Sequence, residues 1–306
     1  MHLAATTTDT DTFACNNYKE CASQKVGNGE MFGIECNAVS GCSSASLDIA
    51  CSSGHITCNG QTSCYDSHAL SSAGSILCSG YKSCRNARSI TAGGDIVCSG
   101  WNACDSSLPG MDGISSSSSS SHVECSGAGS CAYTVIESQG STQCSAAKAC
   151  YHATIHSGAH IVCDAHKSCA KSKLIASDTL TISGKAAGYD AEISSKVLNA
   201  YAMYSAHNAI ISATSQINAF GEYSLSYASV DNAAVSSLLL NAFGEMAGFG
   251  ATVSCRGVGR ICKIECKASG CYGMSITCSH GATCNISPDE CNDVDGDRDT
   301  TLTVNG

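Results

Sequence analysis

Proline occurs only twice in these 306 residues, tryptophan once, and 14% of the residues are charged. Two isolated prolines, Pro109 and Pro288, leave no proline-rich linker between domains. Scarce charge beside 30 glycines disfavours long amphipathic helices, which draw on Glu, Lys and Arg. No apolar run reaches transmembrane length, so the sequence offers no membrane-spanning helix. A formal charge of -10 argues against a nucleic-acid backbone as partner. No Cys-x2-Cys occurs, which weighs against a zinc cluster. The opening MHLAATTTDTDTF carries no hydrophobic run, so a secretory leader is expected to lie outside this stretch.

Cysteine is what the chain does have, at 24 of 306 residues. That share approaches a disulfide scaffold and calls for an oxidising, secretory or extracellular space. Cys-x5-Cys pairs fall at Cys15/Cys21, Cys36/Cys42, Cys58/Cys64, Cys78/Cys84, Cys98/Cys104, Cys125/Cys131, Cys144/Cys150, Cys163/Cys169 and Cys278/Cys284. From the first pair to Cys163 the step is 19 to 22 residues, apart from 27 between Cys98 and Cys125. The polar run GISSSSSSSH, Gly113 to His122, is read as a loop holding that excess.

A fixed period of this length marks a solenoid whose coils bury apolar positions on their neighbours. Helical repeats need roughly 30 to 45 residues, so about 20 points to strands. Short apolar bursts between Gly, Ser and Asn read as three short strands per coil joined by tight turns. The fold predicted is all-β: a single-chain parallel β-helix, or β-solenoid, with coils stapled by the Cys-x5-Cys pairs. It divides into an amino-terminal strand and cap region over 1–35, stapled coils over 36–169, cysteine-free coils over 170–254, and cysteine-rich coils with an acidic tail strand over 255–306. In the cysteine-free stretch Asn199, Asn218 and Asn241 stand near the corner that Cys holds elsewhere, which suggests an internal asparagine ladder; a corner of exposed asparagines is the alternative. Tyr201, Tyr204, Tyr223, Tyr227, Phe220, Phe243 and Phe249 are expected to fill the core there in place of disulfides.

A thin coil has little room for a core, and a short cross-link substitutes for buried side chains. Closing a loop of a few residues contributes about 2 kcal/mol per bridge. Pairing within each coil lets every coil close itself; stacked neighbours also lie within disulfide reach, and bridges between coils are the alternative. The phrase CSGYKSCRNA (Cys78 to Ala87), with CNGQTSC and TCSHGATC, resembles the coil motif of the cysteine-stapled β-helical antifreeze proteins of beetles. The repeat is also similar to that of long cysteine-rich β-helical proteins of protist cell surfaces. The first resemblance implies that each Cys-x5-Cys pair bridges within its own coil.

Ice binding through such coils needs a flat rank of threonines. The residues before each first cysteine, Thr57, Leu77, Val97, Glu124, Gln143 and Val162, form none. A polysaccharide-cleaving β-helix needs acidic residues stacked over neighbouring coils. Here they are scattered as Asp95, Asp105, Asp112, Glu137, Asp164, Asp178, Asp190 and Glu192, with only the last two sharing a strand face. His152, His156, His160 and His166 fall within one coil, at a spacing that sends them to different corners.

Asp293, Asp295, Asp297 and Asp299 alternate around a glycine as calcium loops do. The stretch resembles an EF-hand loop with Arg298 where Gly belongs and Val304 where Glu belongs, making calcium the one candidate cofactor; none is required. The closing TTLTVNG reads as a free strand for donation to a neighbouring copy. Pairing Cys255/Cys262 and Cys266/Cys271 leaves Cys51 and Cys291 for bridges between subunits. The function expected is a secreted structural subunit, partnered head to tail by copies of itself into a filament or surface appendage, without membrane insertion. A monomeric secreted β-helix that binds or cleaves a glycan is the alternative, and stacked aromatics or acids on one face would favour it.

Overall fold

The computed structural model describes residues 12–17, 33–43, 48–51, 54–106, 113–212, 214–231, 236–267, 269–287 and 301–305. The chain is an all-β parallel β-solenoid of about 12 turns. It divides into two compact units, Met1–Ala159 and His160–Gly306. In the first unit, one sheet stacks from Thr12–Cys15 to Ser141–Cys144 and the other from Asp48–Cys51 to Thr154–Ser157. The second unit repeats the plan, from Ile161–Cys163 to Thr283–Ser287 and from Lys173–Ala176 to Thr301–Asn305.

Period-two alternation sets what each strand buries. In His55–Cys58 the residues Ile56 and Cys58 are fully buried, and Ile76/Cys78 and Ile96/Cys98 repeat this in register. Leu70, Ile90, Ile114, Ile136 and Ile155 form the facing column of the second sheet. Each such side chain removed from water contributes about 1.5–3 kcal/mol, and parallel stacking in register makes the core continuous from coil to coil.

The expected third strand is absent from the described coils, and a chain of turns takes its place. Between the two strands of a coil, alternate residues adopt left-handed backbone: Thr62, Cys64 and Asp66 in one coil, Lys82, Cys84 and Asn86 in the next. No parallel strand accommodates such residues, but the arc still stacks through its backbone. Lys82 N donates to Trp101 O at 2.8 Å and Asn86 N to Asp105 O at 2.9 Å, toward the following coil. Cys84 N donates to Ser63 O and Arg88 N to Ser67 O, toward the preceding one. The arc thus satisfies buried backbone groups that an irregular corner would leave unpaired. A serine pins its start, as in Ser63 Oγ donating to Gly60 O and Ser224 Oγ to Gly221 O, each at 2.7 Å. Coils approach so closely here that a β-carbon on Gly80 would lie 2.1 Å from the Gly60 carbonyl oxygen.

Three further expectations change. The serine run does not hold the whole insertion: Gly113–Ser116 is a strand in register with Ser89–Ala92. Only the turn from Ser116 to Val123 is longer than its counterpart from Ala92 to Ile96, and the remaining excess lies between Cys104 and Gly113. The Thr301–Asn305 strand is not free, because it pairs in parallel register with Ser275–Ser279 of its own chain, which removes the donor-strand reading. The third change concerns asparagines and aromatics. The column that begins with Cys163 continues inward as Ile182, Ala200, Ala219 and Ala242, then returns to Cys266. Asparagine stands one residue earlier on each strand and therefore points outward.

Candidate functional site

The bridged cysteines from Cys36 to Cys169 occupy the inner corner where the first sheet enters the arc, whereas Cys255–Cys262 and Cys278–Cys284 bridge the opposite corner, from a second-sheet strand to the next strand of the first sheet. Cys36–Cys42, Cys58–Cys64, Cys78–Cys84, Cys98–Cys104, Cys125–Cys131, Cys144–Cys150, Cys163–Cys169 and Cys278–Cys284 are bridged within their coils, with Cα–Cα distances near 6 Å. Cys255–Cys262 and Cys266–Cys271 are bridged as the cysteine count suggested. Stacking brings the sulfurs of adjacent rungs together: Cys36, Cys58 and Cys64 lie within 4.8 Å of one another, as do Cys58, Cys78 and Cys84. Cys42 Sγ is 3.4 Å from Cys15 Sγ. These triads have metal-like spacing, but each contains a bridge, and a disulfide sulfur is not the thiolate that a metal takes.

Cys51 ends the strand Asp48–Cys51 in register with Ser72. Cys21, Cys291 and the candidate calcium ligands Asp293, Asp295, Asp297 and Asp299 lie outside the described residues. The histidines of the 152–166 stretch are engaged one by one. His156 Nδ1 lies 2.8 Å from Glu137, His160 Nδ1 lies 3.7 Å from Asp178, and His152 stacks on Tyr133. His166 Nδ1 is 3.2 Å from the Lys185 carbonyl. Asp190 and Glu192 do not share a strand: Asp190 sits in the arc and accepts from Asn208 Nδ2 at 2.6 Å, whereas Glu192 begins Glu192–Ser194.

The second unit carries its aromatic residues outside. Tyr201 and Phe220 stack with centroids 5.5 Å apart, Tyr204 and Tyr223 at 5.4 Å, and Phe249 and Tyr272 at 5.7 Å. Tyr201, Phe220 and Tyr227 remain 48%, 43% and 55% exposed, so the expectation that they fill the core is corrected. Leu198, Ile217, Leu240 and the alanines fill it instead. The rings stack on one another outside this core and add cohesion from there. Beside them the asparagine ladder does form, with Asn218 Nδ2 donating to Asn199 Oδ1 at 2.8 Å and Asn241 Nδ2 to Asn218 Oδ1 at 2.7 Å. It lies on the outer face of the first sheet and is half-buried to buried, not internal.

His207 stands among these rings, stacked on Tyr189 at 5.2 Å and edge-on to Tyr204 and Tyr227. Burial holds its pKa below the ordinary 6.5, opposed by the nearby Asp190 carboxylate.

The second sheet of this unit carries a groove of about 580 Å³ that sequence reading missed. Three successive strands alternate apolar-in and polar-out: Ser229–Asp231, Thr252–Arg256 and Ser275–Ser279. Register aligns Ser229 with Thr252 and Ser275, Asp231 with Ser254 and Thr277, and Arg256 with Ser279. The floor is therefore a grid of hydroxyls with one carboxylate and one guanidinium. Arg256 is held in place, its Nε donating to Ser254 Oγ at 2.7 Å and its Nη2 to Asp231 Oδ2 at 3.2 Å. His280 forms one wall, its Nδ1 3.0 Å from Ser279 Oγ. Gly257 beside it has φ 119, and a β-carbon there would lie 2.6 Å from Arg260 Nε, so its absence lets the Arg260 side chain cross.

Tyr227 precedes the first of these strands by two residues. Its ring is perpendicular to Phe249 and to His207, unlike the parallel pairs around it, and lies where a β-carbon on Gly250 would stand. The groove thus offers hydroxyl donors and acceptors and a guanidinium paired with a carboxylate. The signal in sequence was the alternation SVD, TVSCR and SITCS in three successive coils.

The chain matches no protein-family model, and neither a curated protein nor a solved structure is similar to it. Among the described residues no helix is long and apolar enough to cross a membrane.

Proposed function

We propose that the protein is a structural β-solenoid of the extracellular space, a subunit that joins copies of itself end to end in a filament or surface layer. The observation that carries this reading is the state of the outermost strands among the described residues. Thr12–Cys15 and Asp48–Cys51 in the first unit, and Thr283–Ser287 and Thr301–Asn305 in the second, stand last in their sheets, with a neighbour on one side only. Such edges present unpaired ladder groups that another copy can extend in register. The bridges support the compartment, because stacked disulfides of this density persist where the surroundings are oxidising. They also support a structural role, since each bridged coil is closed without help from a ligand.

Negative-stain microscopy of the natively oxidised protein, with and without calcium, tests the reading. Filaments whose axial repeat matches one subunit are expected. Dispersed single particles at concentrations up to the millimolar range would refute end-to-end assembly.

A further inference from the structure

We infer that Tyr204 and Tyr223 form an oxidative cross-link site, where a peroxidase-type oxidant joins the two phenol rings as a dityrosine bond between neighbouring coils. The inference draws on the oxidising compartment of the proposed function, not on end-to-end assembly. It begins with a gap in the staples. No cysteine stands between Cys169 and Cys255, so the coils there stack without a disulfide.

Tyr204 and Tyr223 hold the same place in the arcs of two successive coils. Both have left-handed backbone, with φ of 57° and 50°. Each is followed by a serine that pins the start of its arc, Ser205 Oγ donating to Ala202 O and Ser224 Oγ to Gly221 O, both at 2.7 Å. Tyr204 N and Tyr223 N each donate to the following coil at 3.1 Å, to Glu222 O and Glu245 O. Matching backbone at matching positions sends the two side chains out side by side. Their ring centroids are 5.4 Å apart and their planes 17° from parallel, so like edges lie one above the other. Those edges carry the carbons beside each hydroxyl. Among the described residues the other tyrosine pair in ring contact, Tyr133 and Tyr151, meets at 84° and 6.2 Å, the edge of one ring toward the face of the other. Tyr189, Tyr201 and Tyr272 stack on His207, Phe220 and Phe249, none of them a phenol. Tyr204 is 36% exposed and Tyr223 is half-buried, which opens the pair to solvent and leaves the rings room to turn toward each other.

In the coupling, each phenol gives one electron to the oxidant and its hydroxyl proton to water. The phenoxyl radicals share their unpaired electrons with the carbons beside the oxygen, and two such carbons join in a new carbon–carbon bond. The two displaced ring hydrogens pass to the oxygens and restore both aromatic rings. One hydrogen peroxide, reduced to two waters, takes up the two electrons and two protons removed. Holding the partners together makes the coupling within one chain faster than coupling between chains. The product ties coil to coil, whereas each disulfide closes a single coil.

Treatment of the dilute, natively oxidised full chain with a haem peroxidase and hydrogen peroxide tests this. Dityrosine fluorescence is expected in chains that still run as monomers on a denaturing gel. Cleavage after glutamate should recover peptide 193–222, which holds Tyr204, joined to peptide 223–245, which holds Tyr223. Tyr204→Phe and Tyr223→Phe should each lower the monomer fluorescence about fivefold or more. Tyr201→Phe and Tyr227→Phe, in the same two peptides, should leave it unchanged, with circular dichroism confirming that each variant is folded. No fluorescence in the monomer under conditions that couple free tyrosine would overturn the inference. So would full fluorescence in both folded variants of the pair, or an equal yield of a Tyr133–Tyr151 product. Filaments are scored separately by microscopy, so either reading can fail while the other stands.

Discussion

Thr142 occupies the innermost column of the first sheet, where most other rungs place Ile, Val or Leu, and it is fully buried. Its hydroxyl finds no hydrogen-bond partner, a situation that costs about 1–3 kcal/mol. Thr142→Val keeps the shape and removes the hydroxyl, so it should stabilise the protein by about 1 kcal/mol in chemical denaturation. His207 gives a pH dependence of defined sign. Its folded pKa lies below the ordinary 6.5, so the stability it contributes is complete above 6.5 and is lost as pH falls toward the lowered value. The groups facing it are Asp190, whose charge moderates the effect, and the rings of Tyr189, Tyr204 and Tyr227. Melting curves between pH 7.5 and 5 should therefore fall less steeply for His207→Gln than for the native chain. Identical slopes would place the imidazole outside the packed cluster.

At the level of elements, two devices add cohesion, one in each kind of coil. Where cysteine is present, a bridge closes the corner, and removing one as Cys78→Ser with Cys84→Ser should cost about 2 kcal/mol in guanidinium unfolding. Where it is absent, the asparagine ladder and the ring stacks carry cohesion along the axis. Asn218 sits in the middle of the ladder, donating to Asn199 and accepting from Asn241. Asn218→Ala removes both bonds and leaves the mostly buried Asn241 amide unpaired, so a loss of about 1–3 kcal/mol is expected. Asn199→Ala, at the ladder's end, should cost less.

The strands and their parallel stacking were legible because cysteine marks the same inward corner in coil after coil. Where alanine and isoleucine take over that corner, the marker vanishes and parity becomes ambiguous by one residue. One residue is enough to turn Asn199 from inside to outside. The aromatic residues were misplaced for a related reason: bulk alone suggests burial, but the inward positions are taken by Leu198, Ala200, Ile217 and Ala219, and the neighbouring rings point out. The turn arc was not legible at all. Its left-handed positions mostly carry residues such as Thr62, Lys82, Asn102 and Lys148, and glycine, the usual sign, stands at only a few of them, as at Gly129, Gly188, Gly250 and Gly273. The groove lay in plain alternation, but its columns are assembled from residues more than twenty apart, and only the register brings them side by side.

For the whole molecule, every other feature depends on coils that close themselves. Stacked rungs bring the sulfurs of neighbouring coils within 4.8 Å, so bridges between coils are sterically within reach, and the pairing must be set by backbone geometry. Several coils allow a direct reading, because Lys82, Lys148 and Lys167 fall inside the Cys78–Cys84, Cys144–Cys150 and Cys163–Cys169 loops. Tryptic digestion of the oxidised, alkylated protein followed by mass spectrometry is the decisive measurement. Self-closing coils predict linked peptides that rejoin across each of these lysines, Cys78 with Cys84, Cys144 with Cys150 and Cys163 with Cys169. A link from the Cys84 peptide to the peptide that holds Cys98, or a single peptide 149–167 closed on itself between Cys150 and Cys163, would contradict the account.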